Sequence, residues 1–304
     1  MTAFSRLRTL LAAVLAATPL AFVGACSAAA PEAAAKQVAE TKANATAPAA
    51  NTPTATTGKG AQALAGLVPQ GIWDVVGVRI DTVTGRRQAF GFNDERLVGR
   101  RFTFGERSIA TNADEGDCHD PVYSTSHPDA GTAFAAAFGE TAAGKPHRPA
   151  DFKLPLAISA PVALIRIRCT PAWGGGAYDG GTPLIVTGAG TALLGWNDMA
   201  VLEIRRRADD AAPKPSFDCG KANGLVENSI CHSVDLAGLD ASLARAYARV
   251  VKFYAEEDPE KAGTVRKTQR DWLGQRARCG SDEACLTKQY AARIAQVAAL
   301  GDDI

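Results

Sequence analysis

"DCGKANGLVENSICHS", residues 218–233, sets Cys219 and Cys231 around a short polar segment, with His232 directly after the second cysteine. Such a stretch can serve as half of a metal site, a redox pair, or a covalent staple for a small helical module. Zinc sites use paired knuckles such as Cys-x2-Cys or His-x3-His. A catalytic redox pair has two intervening residues inside a thioredoxin-like pattern. Here eleven residues separate Cys219 from Cys231, and five separate Cys279 from Cys285. The spacing favours a staple, with His232 a surface residue at a turn, provided that the chain matures in an oxidising compartment.

The first residues point to such a compartment. Arg6 and Arg8 precede the apolar run "LLAAVLAATPLAFVGAC" (residues 10–26), which is short for a membrane span and has the build of an export signal over residues 1–25. Its end, Val23-Gly24-Ala25-Cys26, resembles the lipobox of bacterial lipoproteins. That resemblance implies cleavage before Cys26, a diacylglyceryl (palmitate-type) group on its sulfur, and anchorage to the membrane. Ser27 follows where an inner-membrane lipoprotein would carry Asp, which implies the outer membrane, facing the periplasm. The alternative is ordinary cleavage within "ACSAAA", with Cys26 lost or left free. Residues 26–66 are rich in Ala, Thr and Pro with almost no large apolar side chains. They cannot bury enough surface to offset chain entropy, and a flexible tether is expected.

The rest of the 304-residue chain changes character near residue 212, where "ADDAAPKPS" brings in Pro213 and Pro215. Two domains are expected, over 67–210 and 214–301. After Cys26 is set aside, each holds an even number of cysteines: Cys118 and Cys169 in the first, Cys219, Cys231, Cys279 and Cys285 in the second. Four cysteines allow three pairings. The local one, Cys219–Cys231 with Cys279–Cys285, is preferred because each pair brackets a turn that needs fixing, and Cys118–Cys169 would tie the "NADEGDCHDP" loop to a strand.

In the second domain "SVDLAGLDASLARAYARVVKFYAEE" places Leu236, Leu239, Leu243, Tyr247, Val250 and Tyr254 at spacings of three and four, the apolar stripe of a helix with Ser233 as N-cap. Glu227 is available to the first turn of a shorter helix before it. Val265, Gln269, Trp272, Arg276 and Cys279 form a second stripe, and Leu286, Tyr290, Ile294 and Val297 a third. Three such helices make a small bundle whose core is thin, so covalent closure matters.

These same positions carry a resemblance to a known family. Cys219 ahead of Glu227-x-x-Ile230-Cys231, then Leu239-Asp240-x-x-Leu243-x-x-x-Tyr247, Gln269-x-x-Trp272-x-x-x-Arg276, Cys279, and Cys285 with Tyr290-x-x-Arg293, resemble the LprI-type lysozyme inhibitor domain of bacterial envelope proteins. The resemblance covers residues 216–300, under a third of the chain. It implies a secreted or lipid-anchored helical module, some relatives of which block lysozyme. The expected partner is lysozyme or a related cell-wall hydrolase, met by loops at turns. Asp240, Arg276 and Arg293 are open to two roles, a bridge between helices or charge presented to a partner, and the bridge is favoured.

The first domain offers strands in "GIWDVVGVRIDT", "RLVGRRFTFGERSIATN", "VALIRIRCT", "PLIVTGAG" and "MAVLEIRRR", and a helix over "DAGTAFAAAFGET". Opening on Gly-x-Trp and closing on "LEIRRR", it is similar to small calycin-like antiparallel barrels, either filled or enclosing a small ligand. The expected fold class is therefore α+β, a barrel-like domain followed by a disulfide-stapled helical one. "WGGGAYDGG" lacks the helix that a phosphate-binding loop needs, and the acidic loop around Cys118 lacks EF-hand spacing. No nucleophile elbow or zinc-protease helix is present, and the Asp114 and Glu115 pair would need a cleft to act as acid and base. No enzyme activity, cofactor or metal is expected. Basic and acidic residues nearly balance, for a net charge of +1, and are interspersed, which argues against nucleic-acid binding. The competing function is an envelope lipoprotein whose barrel holds a small ligand while the helical module docks.

Overall fold

Alternation in residues 71–79 becomes the first strand, β1 (Gly71–Arg79), which buries Trp73, Val75 and Val78 and leaves Val76 exposed. The computed structural model describes residues 69–113, 116–170, 172–174, 178 and 180–301. The export signal, Cys26, the tether and the Asp114 and Glu115 pair lie outside the described residues. The inward side of β1 switches at a bulge, where its register with the last strand shifts between Val75 and Gly77.

Eight further strands follow: β2 (Arg101–Phe104), β3 (Ser108–Thr111), β4 (Cys118–His119), β5 (Val122–Ser126), β6 (Ala163–Arg168), β7 (Thr182–Gly188), β8 (Thr191–Gly195) and β9 (Val201–Arg206). They form one antiparallel sheet in the order β4-β3-β2-β1-β9-β8-β7-β6-β5. β4 and β5 are its two edges, yet only Asp120 and Pro121 separate them in sequence. A strand residue advances about 3.3 Å, so the edges have to curl towards each other. The Cys118–Cys169 disulfide, with Cα atoms 5.5 Å apart, ties β4 to the residue that follows β6 and holds that curl. The result is a curled half-barrel, with a disulfide where a closed barrel would have a hydrogen-bonded seam.

The concave side is filled by side chains. Trp73, Phe102, Phe104, Trp173 and Trp196 meet there with Leu184, Leu194 and Leu202. Phe102 and Trp196 pack edge to face with ring centroids 5.2 Å apart, and Trp173 and Trp196 do so at 5.4 Å. The convex side of β6 to β9 is covered by α1 (Ala130–Phe138). Asp129 caps that helix by accepting from Thr132 N, and Phe134 and Phe138 press on Phe152, Leu164, Ile185 and Leu193. Covered on both sides, β7 and β8 read as continuous apolar runs rather than alternating ones.

The C-terminal part has four helices: α2 (Leu225–His232), α3 (Val234–Glu257), α4 (Pro259–Arg276) and α5 (Glu283–Gly301). Ser233 accepts from Leu236 N at the start of α3, and Asp258 accepts from Lys261 N at the start of α4. The three expected stripes supply a core that includes Leu239, Leu243, Val250, Val265, Trp272, Leu286, Tyr290, Ile294 and Val297. No described helix is long and apolar enough to cross a membrane.

The described sheet and helices belong to the same compact unit. Their backbones touch where Gly99 meets Gly238 of α3: a Cβ at Gly238 would lie 3.0 Å from the Gly99 carbonyl oxygen. Ser242 Oγ donates to Val98 O at 2.6 Å beside that contact. A chain of charges runs along the same junction. Arg207, just after β9, binds Asp74 at 2.5 Å and Asp235 at 2.7 Å, and Arg101 reaches Asp235 at 3.0 Å. Burial alone would lower the pKa of Arg207, but the hydrogen bonds it donates to Asp74 and Asp235, and the charges of those carboxylates, outweigh it and raise the value.

Candidate functional site

The positions that carry the family resemblance converge between α3, α4 and α5. Tyr290 of α5 is fully buried, and its hydroxyl donates to Asp240 Oδ1 at 2.8 Å while accepting from Arg276 Nη1 at 2.5 Å. Asp240 Oδ2 accepts from Ser216 N at 2.7 Å, which fixes the segment entering the module. Asp240 and Arg276 are therefore linked through a tyrosine hydroxyl. Burial, then the neighbouring Asp240 charge, push the Tyr290 pKa well above its ordinary value, so the hydroxyl keeps its proton. Trp272 packs edge to face on Tyr290 at 5.2 Å, and the Arg276 guanidinium lies over both rings. Tyr247 is half-buried at the edge of the same core.

Arg293 stands apart from this relay. It is buried, and it donates to Gln269 Oε1 at 3.0 Å, Thr268 Oγ1 at 3.0 Å and Gln296 Oε1 at 3.2 Å. All three acceptors are neutral. Gln269 and Arg293 are legible in sequence as motif positions; Thr268 and Gln296 are not, because nothing in their spacing marks them as partners.

The remaining motif residues build a tip. Glu227 Oε2 accepts from Asn223 N at 2.5 Å, Asp218 accepts from Gly220 N at 2.9 Å, and His232 Nδ1 lies 2.6 Å from Asn228 O on the surface. Disulfides join Cys219 to Cys231 and Cys279 to Cys285, with Cα separations of 5.8 and 5.6 Å. A Cβ at Gly280 would lie 3.8 Å from Leu225 Cδ1, so the two stapled turns stand side by side. They present Leu225, which is 66 % exposed, together with Lys221 and Arg278. Acidic groups are interleaved: Asp218 lies 3.9 Å from Lys221, and Asp282 caps α5 through Cys285 N.

Among the described residues no group of three or more His, Cys, Asp or Glu side chains could hold a metal ion. Fold and site together define an α+β protein in which a curled antiparallel sheet, pinned by one disulfide, docks on a helical bundle pinned by two more. No protein-family model matches the chain, and neither a curated protein nor a solved structure is similar to it.

Proposed function

We propose that this protein binds and blocks lysozyme or a related cell-wall hydrolase through the stapled tip of its helical module, as a non-enzymatic envelope lipoprotein with no cofactor. The single observation that carries the reading is the tip: two disulfide-closed turns in contact, fixed before binding, with an exposed leucine and two basic side chains. Glycosidases of this kind work with a carboxylic acid and a carboxylate in a cleft. A rigid loop offering Lys221 or Arg278 to those carboxyls, with Leu225 against the cleft wall, loses little conformational freedom on binding. The LprI-like motif supports the same reading from sequence. Lipidation of Cys26 and a tether over 26–66 would hold the module off the outer membrane, facing the periplasm. The curled sheet, calycin-like in this proposal, acts as a filled platform.

The mature chain, oxidised, is expected to slow lysis of bacterial wall by lysozyme, and Lys221→Glu with Arg278→Glu is expected to weaken that effect at unchanged thermal stability. Absence of inhibition against every lysozyme class at micromolar protein would overturn the reading.

A further inference from the structure

Buried charges in proteins are paired or bound to a counter-ion, because an isolated one is costly to desolvate. Arg293 departs from this rule. The residue is 6 % exposed, its hydrogen bonds go to the neutral oxygens of Gln269, Thr268 and Gln296, and no carboxylate pairs with it among the described residues. A guanidinium has five N–H donors, and these bonds use three. Burial accordingly lowers the pKa of Arg293 from its ordinary value and outweighs an opposing influence from Tyr247.

Arg293 also lines a cavity of about 300 Å³ between α4 and α5. Gln275, Gln289 and Gln296 supply amides to its wall, and Trp272 contributes an indole whose buried Nε1–H has no acceptor among the described residues. The wall carries one carboxylate, Asp271, but that group is engaged elsewhere: Lys267 binds it at 2.8 Å. The cavity is thus a small polar space, rich in N–H donors, beside a cation that lacks a counter-charge among the described residues.

We propose that this cavity is an oxyanion site, in which a carboxylate or phosphate group binds the Arg293 guanidinium through its two remaining donors. The assignment does not rest on lysozyme inhibition, since the stapled tip is built from other residues. The bound group can be a free anion or the carboxylate of a small organic acid. Both place two oxygens in the plane of the guanidinium fork, the arrangement in which charge-assisted bonds are strongest.

The test is a thermal-unfolding titration of the mature, oxidised protein with inorganic phosphate and, separately, sodium acetate, each against sodium chloride at matched ionic strength. An anion that binds only the folded state raises Tm with its concentration. A rise with phosphate alone identifies a phosphate site, and a rise with acetate identifies a carboxylate site. Arg293→Met, which keeps side-chain volume and removes the charge, is expected to weaken the apparent affinity about tenfold or more. Gln289→Glu provides a second variant that retains Arg293: it sets a carboxylate four residues before the arginine on the same helix face, supplying the counter-charge from within. It is expected to raise Tm in chloride and to abolish the response to the anion. The proposal is overturned if neither anion raises Tm beyond chloride, or if the response survives unchanged in either variant.

Discussion

Tyr290 places one hydroxyl between a buried carboxylate and a guanidinium, giving Asp240 a donor and Arg276 an acceptor with a single oxygen. Replacing it with Phe keeps the ring against Trp272 but leaves Asp240 Oδ1 without that donor in a dry interior. Tyr290→Phe is therefore expected to cost about 1–3 kcal/mol, read as a lower urea midpoint at unchanged slope. Asp94 does comparable work in the loop between β1 and β2. Its carboxylate accepts from Gly91 N at 3.0 Å, from Arg96 N and Nε at 2.9 Å each, and from an Arg96 terminal nitrogen at 2.7 Å. Burial by itself would raise its pKa, but the Arg96 side-chain bond, the two backbone bonds and the Arg96 charge outweigh it and hold the value below 3.8. A depressed folded pKa means that the unfolded chain binds the proton more tightly, so protonation favours unfolding. The stability Asp94 contributes is whole above the unfolded value near 3.8 and is lost as pH falls through the lower folded value. Asp94→Asn is expected to be less stable than the parent at neutral pH, with the gap closing as the pH is lowered below about 4. A gap that stays constant with pH, measured by unfolding at several pH values, would contradict this assignment.

At the level of elements, the stapled turns and the helices they join are the most legible part of the chain. Stripes at spacings of three and four depend only on helix geometry, and Ser233 occupies the cap that the sequence offers it. The sheet is less legible, for physical reasons. β8 reads Thr-Ala-Leu-Leu-Gly because Leu193 faces α1 and Leu194 faces the concave core, which erases alternation. β5 is an edge strand whose Val122, Ser124 and Ser126 are exposed, so it looks like a polar loop, and β4 is only two residues long. The relay is half visible: Asp240, Arg276 and Tyr290 stand out as motif positions, while Ser216, which closes the relay through its backbone, carries no sequence signal. The staples themselves give a graded expectation. Cross-linking restricts the unfolded chain more as the closed loop lengthens, and the sequence separation is 12 for Cys219–Cys231 against 6 for Cys279–Cys285. Replacing both members of the first pair by Ala is expected to cost roughly 2–3 kcal/mol, and the second pair less. Chemical denaturation of the two double variants would reveal the order, and the reverse order would mean that native-state contacts, not loop closure, set the value of each bond.

The whole molecule depends on how the half-barrel meets the bundle, and that junction rests on two glycines as much as on its charges. Gly99 has φ +84°, a left-handed conformation open to glycine, and a Cβ there would come within 2.9 Å of the Gly238 carbonyl oxygen. Gly238 sits inside α3, where Ala would ordinarily be favoured by about 1 kcal/mol. Opposing that gain, its added Cβ would press on the Gly99 carbonyl at 3.0 Å, and backbone atoms cannot swing aside as a side chain can. At Gly263, in α4, an added Cβ would meet no atom within 4 Å, so this position isolates the helix-propensity effect alone. Gly263→Ala is accordingly expected to stabilise the protein by about 0.5–1 kcal/mol, whereas Gly238→Ala is expected to destabilise it or at best leave it unchanged. The two substitutions are chemically identical, so the difference in their unfolding free energies measures the close approach of sheet and bundle. If Gly238→Ala stabilises as much as Gly263→Ala, the backbones at Gly99 and Gly238 are not in contact. The junction would then be held by side chains, namely the Ser242–Val98 hydrogen bond and the ion pairs of Arg207 with Asp74 and Asp235, Arg101 with Asp235 and Arg249 with Glu95, and the more exposed of these pairs would weaken with added salt.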